Sequence, residues 1–150
     1  MLLIESPHNE RFKKLLKLST DNKFRRKSKL FIIEGLKEIR AALEHNYELE
    51  EVYIDDKYKT AFPEKEFDQV SVTILKHDLF SRLVYREDAS YILAVLKEPV
   101  LDLSQIQLPE NPLIIILENI EKPGNLGALL RTCDAVGADA VILSQDHHNF

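Results

Sequence analysis

Arg131, Asn125 and the glycines at 124 and 127 are the residues of this chain whose types and spacing could carry chemistry. A guanidinium is a permanent cation with a planar fork of donors, suited to holding a phosphate. Arg131 follows Gly127 by four residues and Ala128 by three, so on a helix the surface one turn before it is nearly bare. Helical side chains lean toward the N-terminus, which brings the guanidinium back over Gly127 toward Gly124 and Asn125. Asn125 is a candidate N-cap, and the N–H groups at a helix start favour an anionic group. The same residues are open to a plainer reading, an exposed helix arginine and a capping asparagine.

The segments around this set are suited to position it. Residues 113–117 (LIIIL) form a continuous apolar run, the pattern of a strand covered on both faces. A Pro-Gly turn at 123–124 follows, then Leu126, Leu129, Leu130, Cys133 and Val136 recur at helical spacing on one face. Gly137 offers a stop, and residues 140–143 (AVIL) read as the next strand. Strand, helix and strand make a βαβ unit, with a parallel pair and a right-handed crossover. The arginine then lies at the C-terminal edge of the first strand, where open α/β sheets place their ligands.

The other concentration of chemistry is electrostatic. Residues 11–29 hold Arg11, Lys13, Lys14, Lys17, Lys23, Arg25, Arg26, Lys27 and Lys29 against Asp21 alone. This net +8 sits in a chain whose total is -5, so the remainder carries -13. A basic segment on an acidic body is the footprint of a phosphate-binding surface. Its plainer alternative is a solvated amphipathic helix with Phe12, Leu15, Leu16 and Leu18 turned inward, and both can hold at once. On the first reading, replacing Arg25, Arg26 and Lys27 together weakens binding of a phosphate backbone and spares folding.

Between these ends the chain alternates strand and helix. Residues 30–33 read as a strand, 36–46 as a helix, 51–54 as a strand and 58–66 as a weak helix broken by Pro63. Residues 70–75 read as a strand, 77–84 as a helix and 91–96 as a strand. Residues 97–112 carry Pro99, Pro109 and Pro112 without a clear period, the pattern of a linker. With 45% hydrophobic residues the 150-residue chain can bury one core and part of a second. Its single cysteine, Cys133, excludes an internal disulfide, fits a cytoplasmic setting and reads as packing. The apolar start at 1–4 runs into Glu5, far short of a signal sequence, and no stretch approaches a membrane span. His147 and His148 lack a spaced third ligand, so no metal site is expected.

The residues from Glu118 to Leu143 resemble the first sequence motif of the SpoU/TrmH-type RNA ribose 2′-O-methyltransferases of the SPOUT superfamily. Pro123, Gly124, Asn125, Gly127, Arg131 and Thr132 are all in register with it, set correctly between two strands. The N-terminal part is similar to the substrate-binding domain joined to many of these enzymes, itself similar to ribosomal proteins that bind RNA. Asn9 with the 13–18 helix, Arg25-Arg26-Lys27, residues 31–35 (FIIEG) and residues 92–95 (ILAV) carry that similarity.

The resemblance implies an α/β fold, a small ribosomal-protein-like RNA-binding domain followed by the first βαβ unit of a trefoil-knot methyltransferase domain. The expected layout is an RNA substrate-binding domain at 1–96, a linker at 97–112 and a partial SpoU methyltransferase domain at 113–150. It implies transfer of a methyl group from S-adenosylmethionine to a ribose 2′-hydroxyl of tRNA or rRNA, with Arg131 and Asn125 catalytic. Lys13, Lys14, Lys17, Arg25, Arg26 and Lys27 are the expected RNA contacts. The family's cofactor loops come after the position of Phe150, so this chain is expected to be an N-terminal fragment, inactive and without cofactor alone, and a homodimer when full length. Lys122 stands where many relatives carry an acid, which leaves the subgroup open. Two other classes stay in view: a non-catalytic RNA-binding module, and a dinucleotide-dependent enzyme. Against the second, Gly124 to Gly127 lacks the GxGxxG spacing.

Overall fold

The computed structural model describes residues 1–84, 91–100, 104, 106–120 and 122–144. The chain falls into two compact units, Met1–Val100 and Leu101–Phe150. Residues 145–150, His147 and His148 among them, lie outside the described residues.

The first unit begins with β1 (Leu2–Ile4) and continues through α1 (Glu10–Thr20), α2 (Asn22–Ser28), β2 (Leu30–Glu34), α3 (Leu36–Glu44) and β3 (Leu49–Asp55). Two 3₁₀ segments (Asp56–Ala61 and Glu64–Glu66), β4 (Ser71–Leu75), α4 (His77–Phe80) and β5 (Ile92–Lys97) complete it. The five strands form one sheet in the order β1-β4-β3-β5-β2. β1, β4 and β3 run parallel, while β5 is antiparallel to both β3 and β2.

Alternation along the central strands sorts the side chains into two cores. Val52 and Ile54 of β3, with Ile92, Ala94 and Leu96 of β5, join Ile39, Phe62 and Phe67 on one face. Tyr53, Leu93 and Val95 join Phe12, Leu15 and Leu18 of α1 and Leu79 and Phe80 of α4 on the other. A strand buried on both faces reads as an unbroken apolar run, which is what β5 is. Phe12, Leu15 and Leu18, three residues apart, seat α1 on the sheet by one stripe. Asn9 starts that helix, its Oδ1 accepting from the Arg11 N–H at 2.9 Å. Asp21 ends it and caps the next, accepting from the Phe24 N–H at 3.0 Å. Lys29, at φ 55, closes α2 in the left-handed region.

Three sequence expectations change here. The run at 11–29 is two helices, because the Asp21 side chain offers α2 its own start. The expected helix over 58–66 is instead two short 3₁₀ segments, consistent with Pro63 removing a donor between them. Regular helix after His77 ends at Phe80, and turns follow.

The second unit holds β6 (Ile114–Glu118), α5 (Pro123–Ala135) and β7 (Ala140–Ser144). β6 and β7 pair in parallel, Ile114 opposite Ala140 through Glu118 opposite Ser144. Asp139 clamps the start of the pair: its Oδ2 accepts from Leu113 N–H at 2.8 Å, and its own N–H donates to Leu113 O at 2.9 Å. α5 ends in a Schellman motif, with Gly137 at φ 68, Ala138 N–H donating to Cys133 O and Gly137 N–H to Asp134 O. Leu117 and Cys133 are buried. Leu130 and Val136, expected on the inward face, are 41% and 57% exposed, because a two-stranded pair covers only a narrow strip of the helix.

Candidate functional site

The loop between β6 and α5 and the first two turns of the helix assemble the candidate site. Asn119 leaves the strand at φ 52, its N–H still donating to Ser144 O at 3.1 Å. Lys122, in extended conformation at φ -107, is the N-cap, and Pro123 takes the first helical position, where its missing N–H costs nothing. Asn125 therefore sits in the first turn and is not the cap expected for it. Its backbone N–H donates to Lys122 O at 3.0 Å. A Cβ placed on Gly124 would meet nothing within 4 Å, so the turn has an open face.

Arg131 lies where the helix geometry directs it. A Cβ on Gly127 would stand 3.6 Å from Arg131 Nη1, so the guanidinium lies back along α5 over the glycine. The side chain is exposed and, among the described residues, has no ion-pair partner. Gly127 and Arg131 are thus together, whereas Asn125, six positions before Arg131, is about a third of a turn away around the helix. Thr132 is turned to its own helix, its Oγ1 donating to Ala128 O at 3.1 Å. Among the described residues, these build an open arginine-bearing ledge.

In the first unit the basic segment divides by what each cation touches. Lys13 bonds Glu10 at 2.7 Å, and this partner holds the Glu10 carboxyl below the ordinary carboxylate range. Lys17 Nζ stands 5.9 Å from the centre of the Phe24 ring, and Lys29 pairs with Glu98 at 3.0 Å. Lys14 and Lys27 are exposed, and so is Arg26. Arg25 is half-buried, its Nη1 donating to Leu18 O at 2.7 Å and Ser19 O at 3.0 Å. It caps the C-terminus of α1 and is therefore not the merely exposed side chain on which the expectation of spared folding rests.

The sequence reading missed one cluster. Asp55, at the end of β3, is 2% exposed, with Oδ2 2.7 Å from His77 Nδ1 and Oδ1 accepting from Lys57 N–H at 3.0 Å. The partners are 22 residues apart, and only the parallel pairing of β3 with β4 brings them together.

Among the described residues no helix is long and apolar enough to cross a membrane, and no group of three or more His, Cys, Asp or Glu could hold a metal ion.

Comparison with known proteins bears on both units. Residues 9–94 match the MRM3-like substrate binding domain, and residues 112–150 match the SpoU rRNA Methylase family. The chain is 32% identical over 143 residues to the 23S rRNA (guanosine(2553)-2'-O)-methyltransferase RlmP of Bacillus subtilis, covering 95% of this chain and 54% of that protein. It is 26% identical over 140 residues to a 23S rRNA (uridine(2479)-2'-O)-methyltransferase of Streptomyces viridochromogenes, covering 91% and 49%. Among solved structures, an RNA 2'-O ribose methyltransferase superposes with a TM-score of 0.79 at 30% identity, over 98% of this chain and 57% of that one. The SpoU methyltransferase AviRb of Streptomyces viridochromogenes, in complex with AdoMet, superposes with a TM-score of 0.80 at 25% identity, over 91% and 53%. The chain spans about half the length of the relatives it matches. Two matched models in tandem, the larger over more than half of the chain, show that it belongs to the SpoU/TrmH-type methylase family, with an MRM3-like substrate-binding domain ahead of the methylase segment.

Proposed function

We propose that this chain serves in an RNA ribose 2′-O-methyltransferase acting on rRNA or tRNA, residues 1–96, followed by a linker at 97–112, holding RNA and residues 113–150 contributing the arginine of the reaction centre. One observation carries the reading. Arg131 lies over Gly127 in the helix that follows β6 and opens on Pro123-Gly124-Asn125, a cation without an ion-pair partner among the described residues. The relatives' printed activities support ribosomal RNA as the substrate class.

On this reading S-adenosylmethionine supplies an electrophilic methyl group, and the ledge of the second unit supplies the contacts to RNA. Arg131 stays charged, since a guanidinium pKa above about 12 leaves almost none deprotonated at neutral pH. It clamps the ribose or the adjoining phosphate and stabilises negative charge on the 2′-oxygen as that oxygen takes the methyl group and its proton passes to water. Asn125, in the first turn of α5, holds the loop against that backbone. Lys13, Lys14, Lys17, Arg26 and Lys27 steer the RNA, and Arg25 supports them by fixing the end of α1. We place the protein in the cytoplasm, as a homodimer in its full-length form.

The test is methyl transfer by the protein made from its complete gene, with labelled S-adenosylmethionine and ribosomal RNA. Label retained at a site that resists alkaline cleavage marks a 2′-O-methyl group and supports the reading. Label on a base overturns it, and RNA binding without label leaves the protein a binding module.

A further inference from the structure

The Asp55 cluster lies at the edge of the sheet where β3 and β4 end and β5 begins. Asp55 is its hub. Besides holding His77 Nδ1 and Lys57 N–H through its carboxylate, its own N–H donates to Tyr91 O at 3.0 Å. A carboxylate is costly to bury, and the oxygens of this one are taken up by the His77 ring and the Lys57 N–H. Its bond to Nδ1 orients the imidazole with Nε2 away from the carboxylate. The 3₁₀ turn it anchors carries Lys57, Tyr58 and Lys59, all exposed. The Tyr58 ring lies against Tyr91, centroids 5.7 Å apart with a tilt of 31°, yet the residue remains 48% exposed.

We propose that this edge is a docking site for unpaired RNA nucleotides, a base stacking on the open part of Tyr58 and the flanking phosphates meeting Lys57, Lys59 and His77. Aromatic rings beside cations are how proteins hold single-stranded RNA, because every base has a face to stack. The charges permit it. Asp55 is turned to His77 and to backbone, Asp56 accepts from His77 N–H at 2.9 Å, and the exposed carboxylates Asp56 and Asp78 are matched by the exposed cations Lys57, Lys59 and Lys76. Lys57 and Lys59 have no ion-pair partner among the described residues, whereas Lys13 and Lys29 of the basic segment do. The inference rests on RNA being the ligand of the first unit. It divides the work: the basic segment attracts the backbone at large, and this edge selects strand that is not paired.

The experiment uses the 150-residue chain and a single-stranded oligoribonucleotide of about a dozen nucleotides, alone and annealed to its complement. Tyr58→Ala should weaken binding of the single strand about tenfold without changing its salt dependence, and Tyr58→Phe should bind as the parent does. Binding of the duplex should be equal in all three. Replacing Lys57 and Lys59 by Ala should lower the salt slope by about 0.7 for each phosphate no longer neutralised. An unchanged thermal unfolding midpoint separates these effects from loss of fold; should Tyr58→Ala unfold, the lysine slope and the Tyr58→Phe affinity decide. If Tyr58→Ala binds normally, or Tyr58→Phe is as weak as Tyr58→Ala, the proposal fails. If only replacement of Lys13, Lys14 and Lys17 weakens binding, the proposal fails while RNA remains the ligand. If the chain binds neither strand, both readings fail.

Discussion

Arg131 folds back along α5 until its Nη1 stands 3.6 Å from the place a Cβ on Gly127 would occupy. That separation is ordinary van der Waals contact, so an alanine fits there and a branched side chain would meet the guanidinium. Gly127→Ala should therefore keep methyl transfer in the full-length protein and stabilise α5 by about 1 kcal/mol, the difference in helix propensity. Gly127→Val should displace the arginine, and a displacement of about 1 Å at a reacting centre costs on the order of a hundredfold in rate. Turnover and thermal unfolding of the two variants check this together. Equal activity for both would mean that the guanidinium does not work from above the glycine.

Arg25 supports the end of a helix. Its donors reach Leu18 O and Ser19 O, two of the carbonyls that the last turn of α1 leaves without an intrahelical partner. Arg25→Ala should cost about 1.5–3 kcal/mol, the range for a hydrogen bond from a charged donor. Lys27→Ala, at an exposed position, should stay within about half a kcal/mol. The midpoints of urea unfolding compare the two. Similar midpoints would return Arg25 to the ranks of surface cations.

Tyr53 predicts an alkaline limit for the first unit. The residue is 2% exposed, and burial first, then its hydrogen bond to the Glu51 carboxylate, push its pKa well above the ordinary value near 10. A phenol whose pKa is raised by folding contributes stability in full below the unfolded pKa and loses it as pH climbs above that value, because the unfolded chain then releases the proton first. Stability should fall from about pH 10 upward. Tyr53→Phe should flatten that decline, read from urea midpoints across the alkaline range. An unchanged slope would show that Tyr53 is not its source.

The sequence carries the second unit more openly than the first, for a physical reason. β6, α5 and β7 are neighbours in the chain, so apolar runs, a Pro-Gly turn and Gly137 suffice to mark them, and the lean of helical side chains is enough to seat Arg131 over Gly127. Asn125 misled because capping oxygens are common at helix starts, although Pro123 already pointed one residue earlier, to Lys122, by its preference for the first helical position. In the first unit the helices and central strands are legible from period. Their order is not. β1 is three residues long, too short to show alternation, and exists through its pairing with β4 some seventy residues later. Asp55 and His77 show nothing in sequence, because their meeting depends on where β3 and β4 end.

The last prediction concerns how Arg131 acts. Were it the acceptor of the ribose proton, a neutral guanidine would have to form, which its high pKa makes rare at neutral pH. As a charged clamp it needs only its position and its fork of donors. Lysine keeps the charge and loses the fork, so Arg131→Lys in the full-length protein should retain a detectable part of the activity that Arg131→Ala loses. An electrostatic contact of this kind is worth about a hundredfold to a thousandfold in turnover, which sets the expected loss for the alanine. The wild-type rate should show no rise with pH that titrates with the arginine. If lysine and alanine are equally inactive with the fold intact, and the wild-type rate climbs steadily toward strong alkali, Arg131 takes the proton and the clamp is wrong.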